Sequence, residues 1–375
     1  MSPADYDDLR DLLTLHLVAG VGPRLLSALR ERFGSPGRAL RAGLTELLEV
    51  PHIGPKLAEA VAVAASSGFV DAELERIRQH DVQLRAIGTP DYPPMLNGIP
   101  DQPHLLYVRG TLRLEDANAV ALVGSRQATP YGKRLAAKLA AGLARANITV
   151  VSGLARGIDG VAHRAALDAG GRTLAVLAGG LARVYPPEHA ELGLAVAQSG
   201  ALVTEARMEQ EPLALLFPTR NRIISGLARA VVVVEAAERS GALITATHAA
   251  EQGRPVLAVP GLADSAASGG CHELIRKGAV LCRSVDDILE ELHGVSAMAS
   301  AARAAAAPPP SVPGPPPGMD EPQRRIWEFL EGQIRTMDEM AQQLGLTVPQ
   351  LSTALMLLEM KKAVRRLPGS RFERC

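Results

Sequence analysis

Four short segments of the chain carry residue types suited to holding a phosphate or a base. In ALVGSRQATPYGKR, residues 121–134, an apolar run ends in Gly124, Ser125 and Arg126 and leads through Thr129 into a helix-like stretch. SGLARGIDGVAH, residues 152–163, supplies Ser152, Gly153, Arg156 and Gly157. FPTRNRIISGLA, residues 217–228, sets Phe217 beside Arg220, Asn221 and Arg222, and EAAERSGALIT, residues 235–245, adds Ser240, Gly241 and Thr245. Glycines let backbone amides approach an anion closely, and the helix N-termini that follow favour negative charge. Guanidinium forks match phosphate oxygens, and serine hydroxyls add donors. An aromatic face beside two guanidinium groups suits an unstacked base with its adjacent phosphates. Each feature also has a plainer reading. Any one glycine is explained by a strand-to-helix turn. Phe217 could be a core residue, with an arginine paired to Glu205 or Glu235, a description that fits one of the two arginines.

The elements that must position these residues are legible. VALVG, ITVVSG, TLAVLAGG, ALVTE, AVVVVEA, VLAVPG and AVLC, between 120 and 282, are apolar on consecutive residues. That is the pattern of strands covered on both faces. Helical stretches such as GKRLAAKLAAGL and TATHAAEQ separate them. Repeated strand–helix units predict an α/β fold with a Rossmann-like, doubly wound parallel sheet and right-handed crossovers. Ligands of such sheets bind beyond the carboxyl ends of the strands, where all four segments fall.

Composition narrows the function classes. The 375 residues carry 40 basic and 40 acidic side chains, so any nucleic-acid site must come from local clustering. Three cysteines, Cys271, Cys282 and Cys375, are too few and too scattered for a disulfide framework or a zinc site. The acidic MSPADYDD start lacks a signal peptide's apolar stretch, and no run is long enough to span a membrane. A cytoplasmic location is expected. GxGxxG is missing after the first of these strands and GxxxxGK[ST] is missing throughout, which removes the dinucleotide fingerprint and the P-loop. A phosphoribohydrolase would want a PGGxGTxxE loop that ERSGALITA does not supply. No cofactor, metal or catalytic residue is expected; a phosphodiesterase would need clustered carboxylates, and none present themselves.

The flanks read as separate domains: residues 1–85 helical, 86–295 the Rossmann core, 296–318 an Ala/Pro linker, and 319–375 a winged helix. Within the first, AGVGPRLL at 19–26 and VPHIGPKLA at 50–58 repeat one device, Gly-Pro-basic-Leu. Helix-hairpin-helix units aim helix N-terminal amides at DNA phosphate in this way, with Arg24 and Lys56 as reinforcement. Ordinary helical hairpins explain the repeat equally well. Five prolines in residues 90–103 suggest an extended strap. In the tail, QRRIWEFL, MDEMAQQLG and VPQLSTALMLLEM read as three helices and RRLPGSRF as a β-wing. Six basic residues and one acid between 361 and 374 allow a duplex-DNA contact, yet the third helix offers base edges only Gln350, Ser352 and Thr353.

Taken in order, DYPPML, LLYVRG, VGSRQATPYG, VVSGLARGIDGVAH, GGLARVYP, FPTRNRIISGL, VVEAAERSGALITA and RPVLAVPG resemble the DprA/Smf family, the DNA-processing proteins of natural transformation. The resemblance covers residues 90–293. It implies a non-enzymatic protein that binds incoming single-stranded DNA and delivers it to the RecA recombinase past single-strand-binding protein, usually as a homodimer. It places the strand on Gly124, Ser125 and Arg126, on the Ser152–Gly157 loop, and on Phe217–Arg222, with Arg126 the phosphate anchor and Phe217 the base platform.

Two departures stand out. EPLALLFP lacks the lysine that family members often carry before Phe-Pro, and SGGCHELI puts Cys271 and His272 where Ser-x-Gly-Thr-Asn is usual. The pair at 271–272 has no further ligand at metal spacing and reads as a tolerated substitution. His163, near Asp159, reads as an orienting hydrogen-bond partner. Two rival functions remain: an enzyme acting on a small nucleotide in the same rim, and a transcription regulator using the tail.

Overall fold

The computed structural model describes residues 3–293 and 319–374, apart from 331, 332, 362 and 368. The chain divides into two units, residues 1–297 and 298–375. The expected linker at 296–318 lies outside the described residues.

The first unit opens with six helices: α1 (Pro3–Leu17), α2 (Pro23–Phe33), α3 (Pro36–Leu40), α4 (Leu44–Leu48), α5 (Pro55–Ala64) and α6 (Phe69–Gln79). Gly22 and Gly54 are the N-caps of α2 and α5, each followed by proline in the first turn. Residues 5–85 are not helical throughout, as the sequence had suggested. Val82–Ala86 forms strand β1, which pairs antiparallel with β2 (Leu105–Gly110). The proline-rich strap between them contains a 3-10 turn at Pro94–Leu96 and is folded onto the sheet by Tyr92, Leu96 and Ile99, all buried.

The alternating region follows as β3 (Val120–Gly124), α7 (Pro130–Arg145), β4 (Val150–Ser152), α8 (Ile158–Asp168), β5 (Thr173–Val176), α9 (Ala190–Ser199), β6 (Ala201–Thr204), α10 (Leu216–Gly226), β7 (Ala230–Glu235), α11 (Gly241–Glu251), β8 (Val256–Ala258), α12 (Gly269–Arg276) and β9 (Val280–Leu281). Nine strands form one sheet in the order β1-β2-β6-β5-β4-β3-β7-β8-β9. Those from β6 to β9 are parallel, while β1 and β2 extend one edge antiparallel. Winding proceeds outward from β3 in one direction through β4, β5 and β6, then returns to β3's other side at β7. The chain therefore reverses between β3 and β7, the point where doubly wound sheets open a crevice.

Consecutive apolar residues are explained by alternation across two covered faces. In β7, Val231 and Val233 face α10 and α11, whereas Val232 and Val234 face α7 and α8. Helix α7 buries Ala136, Leu139, Ala140 and Leu143, an i, i+3, i+4, i+7 stripe. Its start is set by Thr129, whose hydroxyl accepts from Gly132 N at 3.1 Å, and by Pro130. The N-terminal helices join the core through Leu105 and Tyr107 of β2, Ala175 of β5 and Leu202 of β6.

The second unit is a winged helix. It comprises α13 (Glu321–Phe329), β10 (Arg335–Thr336), α14 (Met337–Leu344), α15 (Val348–Met360), β11 (Val364–Leu367) and β12 (Arg371–Arg374). Its three strands run in the order β10-β12-β11, and Ile326, Trp327, Met340, Leu351, Leu355 and Phe372 fill its core. Among the described residues, no helix is long and apolar enough to cross a membrane.

Burial keeps several histidines neutral. His163 sits fully buried on α8 and bonds to Thr173 Oγ1 at 2.7 Å, not to Asp159 as the sequence had suggested. The Thr173 hydroxyl donates to Val150 O, so Nδ1 of His163 must carry the proton and Nε2 is left bare. Burial pushes the His163 pKa down to about 3 and that of His104 to about 4. An unfolded chain takes up these protons near pH 6.5 while the folded one does not, so stability falls as pH drops from 6.5 towards 3. At pH 5 each such histidine costs about 2 kcal/mol relative to pH 7. His163→Asn, whose amide can still donate to Thr173, is expected to narrow the gap between urea midpoints measured at pH 7 and pH 5.

Candidate nucleic-acid interface

A cleft of about 760 Å³ opens at the carboxyl ends of β3 and β7, the reversal point of the sheet. Its wall is set by one buried side chain. Arg220, on α10, donates to Gly153 O at 2.9 Å and to Val176 O, tying α10 to the ends of β4 and β5. Its Nε reaches Asn221 Oδ1 at 3.3 Å, and Asn221 Nδ2 reaches Gly241 O at 3.3 Å, which extends the tie to the start of α11. Beneath it Asp159 accepts from Gly153 N at 3.1 Å and Ala155 N at 3.4 Å. Burial raises the Asp159 pKa against the opposing pull of Arg220, and burial lowers that of Arg220 to about 10, so the guanidinium stays charged at neutral pH.

Two glycines are dictated by this packing. A Cβ on Gly153 would lie 2.7 Å from both Arg220 Nη2 and Asp159 Oδ2. Gly157 has φ +76°, and a Cβ there would meet Ser125 O at 2.1 Å. The loop after β4 is thereby held against the loop after β3, where Ile158 N donates to Ser125 O at 3.1 Å.

Helical spacing places Phe217 on the same side of α10 as Arg220 and Asn221. Its ring is half-buried at the mouth of the cleft, with the exposed Arg126 guanidinium 4.5 Å and Arg220 5.8 Å from its centroid. Tyr185 meets it edge-on at 6.2 Å and is itself 39% exposed. Arg156 lies 6.0 Å from the Tyr185 ring and pairs with Glu188 at 2.5 Å. Arg183 and Arg239 add exposed positive charge along the same rim. Two aromatic faces and several guanidinium groups thus border one cleft, a surface suited to bases and phosphates together.

The structure brings most of the sequence-derived residues to this place. Gly124, Ser125, Arg126, Phe217, Arg220 and Asn221 line the cleft, as do Ser240, Gly241 and Thr245 on its α11 side. Arg156 and Gly153 border the adjoining recess. Four positions need correction. Arg222 points away from the rim, bonding Glu205 at 2.7 Å and Asp101 O at 2.8 Å, because two residues along a helix turn it about 200° from Arg220. Ser152 is fully buried and donates to Leu122 O at 2.6 Å. The Thr129 hydroxyl and amide both bond the Glu235 carboxylate, which fixes the start of α7. The Gly153 amide, expected to meet a ligand anion, already serves Asp159.

Tyr185, Arg183 and Arg239 were not singled out from sequence, although a tyrosine in a chain only 3% aromatic is a signal that could have been weighed. Cys271 is buried with its thiol 3.6 Å from Val233 O, and His272 Nε2 bonds Gly261 O at 3.1 Å, so the departure at 271–272 fills internal packing. Of the hairpin residues, Arg24 pairs with Asp101 at 2.7 Å and Lys56 is exposed.

Removing Arg220 leaves Asp159 buried without its counter-charge. Arg220→Met is expected to lower unfolding free energy by about 3–5 kcal/mol. Arg126→Met, an exposed change, is expected to stay within about 0.5 kcal/mol of the unsubstituted protein. Parallel urea melts measure both, and equal midpoints would remove Arg220 from this structural role.

Comparison with known proteins places this arrangement. The profile of the DNA recombination-mediator protein A family matches residues 83–293, and that of the DprA winged helix domain matches residues 301–370. Protein Smf of Escherichia coli is 38% identical over 302 residues, covering 80% of this chain and 79% of the relative. The putative DNA processing protein DprA of Mycobacterium tuberculosis is 45% identical over 263 residues, covering 68% of this chain and 65% of its own length. Among solved structures, DNA processing protein A from Streptococcus pneumoniae superposes with TM-score 0.67 at 33% identity, covering 78% of this chain and 99% of that one. The Helicobacter pylori protein, described as having a unique single-stranded DNA binding mode, gives TM-score 0.51 at 28% identity over 56% of this chain and 96% of its own. Family profile, relatives and solved folds agree on one assignment: the chain belongs to the DNA recombination-mediator protein A family.

Proposed function

We propose that the cleft binds single-stranded DNA without sequence preference. The observation that carries this reading is the cluster at the cleft mouth, with the Arg126 guanidinium 4.5 Å and the Tyr185 ring 6.2 Å from the Phe217 ring. Phosphates lie against Arg126, Arg183 and Arg239, and bases stack on the two rings. Stacking tolerates any base, because every base has a π-face. Two buried carboxylates beside the cleft, Asp159 and Glu235, are held by backbone amides and by Thr129. That supports a binding protein in preference to an enzyme acting on a small nucleotide. On this reading the protein receives incoming strands in the cytoplasm during natural transformation and, as a homodimer, transfers them to RecA recombinase past single-strand-binding protein.

Fluorescence anisotropy of labelled poly-dT and a matched duplex across a salt series tests the binding step. Arg126→Ala should weaken poly-dT binding roughly tenfold and make the slope of log K against log salt shallower by about 0.7. Phe217→Ala should cost about 1–3 kcal/mol with the slope unchanged. Unaltered binding by both variants, or turnover of a nucleoside monophosphate, would overturn the assignment. The delivery step predicts faster RecA nucleation on strands coated with single-strand-binding protein, and no acceleration with Arg126→Ala.

A further inference from the structure

In a duplex-reading winged helix the second helix of the helix-turn-helix lies in the major groove and offers side chains to base edges. Helix α15 occupies that position here, and its surface has the wrong chemistry for it. The three polar side chains that could read bases are engaged within the domain. Gln350 Oε1 accepts from Thr347 N at 3.0 Å, Thr353 Oγ1 donates to Pro349 O at 3.0 Å, and the Ser352 hydroxyl lies 3.9 Å from the Met337 sulfur. No lysine or arginine stands between Val348 and Met360. Beside these three exposed polar groups the helix presents large apolar side chains to solvent: Val348 is 54% exposed, Met356 63%, Leu357 38% and Met360 72%.

The spacing of that surface says what fits it. Val348, Ser352, Met356 and Met360 recur every four residues and form a single ridge. Such a ridge packs into its own copy, with i±4 rows interdigitating at a crossing angle near −50°. Under a twofold axis, antiparallel pairing sets Val348 against Met360 of the second copy and Ser352 against Met356, so each long side chain meets a shorter one. Glu359 then falls beside Pro349 of the second copy. Parallel pairing would instead bring Glu359 against Glu359, a like-charge contact. The ridge is therefore self-complementary in one orientation, and Glu359, the one charged residue within Val348–Met360, disfavours the other.

The geometry points to α15 as a self-docking surface: the winged helices of two copies associate through this apolar ridge, antiparallel, instead of reading duplex DNA. Contact area makes the association weak. Two helices of this length hide roughly 600–800 Å², below the ~1,200 Å² of a stable complex. A contact of that size belongs to the weak class, with an expected dissociation constant of about 0.1–1 mM, so dilute copies stay apart at this surface. Copies held side by side on one strand reach millimolar effective concentration, and the ridge then links them. This last step rests on the proposed strand binding; the self-docking does not.

The test uses the full chain with a photo-reactive benzophenone side chain at position 352, cross-linked over a dilution series and mapped by mass spectrometry. Without DNA, cross-links should run to residues 348–360 of a second copy and reach half-maximum at about 0.1–1 mM. Long poly-dT should lower that concentration at least tenfold. Met356→Glu and Met356→Lys, both at an exposed position, should each abolish the cross-link with unchanged melting. No cross-link at millimolar protein, or cross-links mapped elsewhere, would overturn the proposal. So would Met356→Lys strengthening and Met356→Glu weakening duplex binding, the mark of a DNA-facing helix. A cross-link that forms but ignores poly-dT would uphold self-docking while counting against the strand-binding reading.

Discussion

The buried contact between Arg220 and the Asp159 loop is the constraint on which the interface depends. One guanidinium, bonded to the carbonyls of Gly153 and Val176, joins α10 to the ends of two strands. The carboxylate of Asp159 gathers the amides of Gly153 and Ala155, so the loop after β4 is shaped before any ligand arrives. A charge this deeply desolvated is tolerated only with its partners in place. That requirement explains Gly153, where a side chain would occupy the space of the pair. It also explains why Phe217, one turn before Arg220, is held at the rim instead of collapsing inward.

Because Asp159 already occupies the amide cradle of its loop, the ligand-facing positive charge lies further out. Arg126, Arg183 and Arg239 are exposed, and Arg156 is shared with Glu188. On the proposed reading, binding at such a rim is electrostatic and shallow, which suits a strand whose bases vary and whose backbone does not. A chain with 40 basic and 40 acidic residues achieves this by placement. Acidic partners neutralise Arg24, Arg172 and Arg222 away from the cleft. The arginines at its mouth face solvent, with aromatic rings beside two of them.

The two units divide the chemistry. The first combines a charged, aromatic-lined cleft with a deep apolar core that fastens the N-terminal helices to the sheet through Tyr107 and Leu202. The second is a small domain whose α15 exposes four large apolar side chains and carries no lysine or arginine. Recognition of a strand and association between proteins call for different surfaces. The surfaces proposed for the two are built on different folds in one chain.

Much of this was determined by the sequence alone. Consecutive apolar residues at seven places, each too short for a buried helix and alternating with helical stretches, specify a parallel sheet covered on both faces. The order of the glycine- and arginine-bearing loops after those strands places the cleft, and the tail's three amphipathic stretches with a glycine turn specify the winged helix. Val82–Ala86 escaped because its short, partly polar run becomes a strand only by pairing with Leu105–Gly110, a contact the local sequence cannot announce. Tertiary structure alone decided the roles of individual side chains. Arg220, Arg222, Ser152 and Thr129 have the composition of ligand contacts, yet burial turns each to an internal partner. Helical periodicity separates Phe217 and Arg220 from Arg222, but only packing tells which side meets the sheet. A residue type states what a side chain can bind; which partner reaches it first is settled by the fold, because a desolvated polar group must take the nearest one.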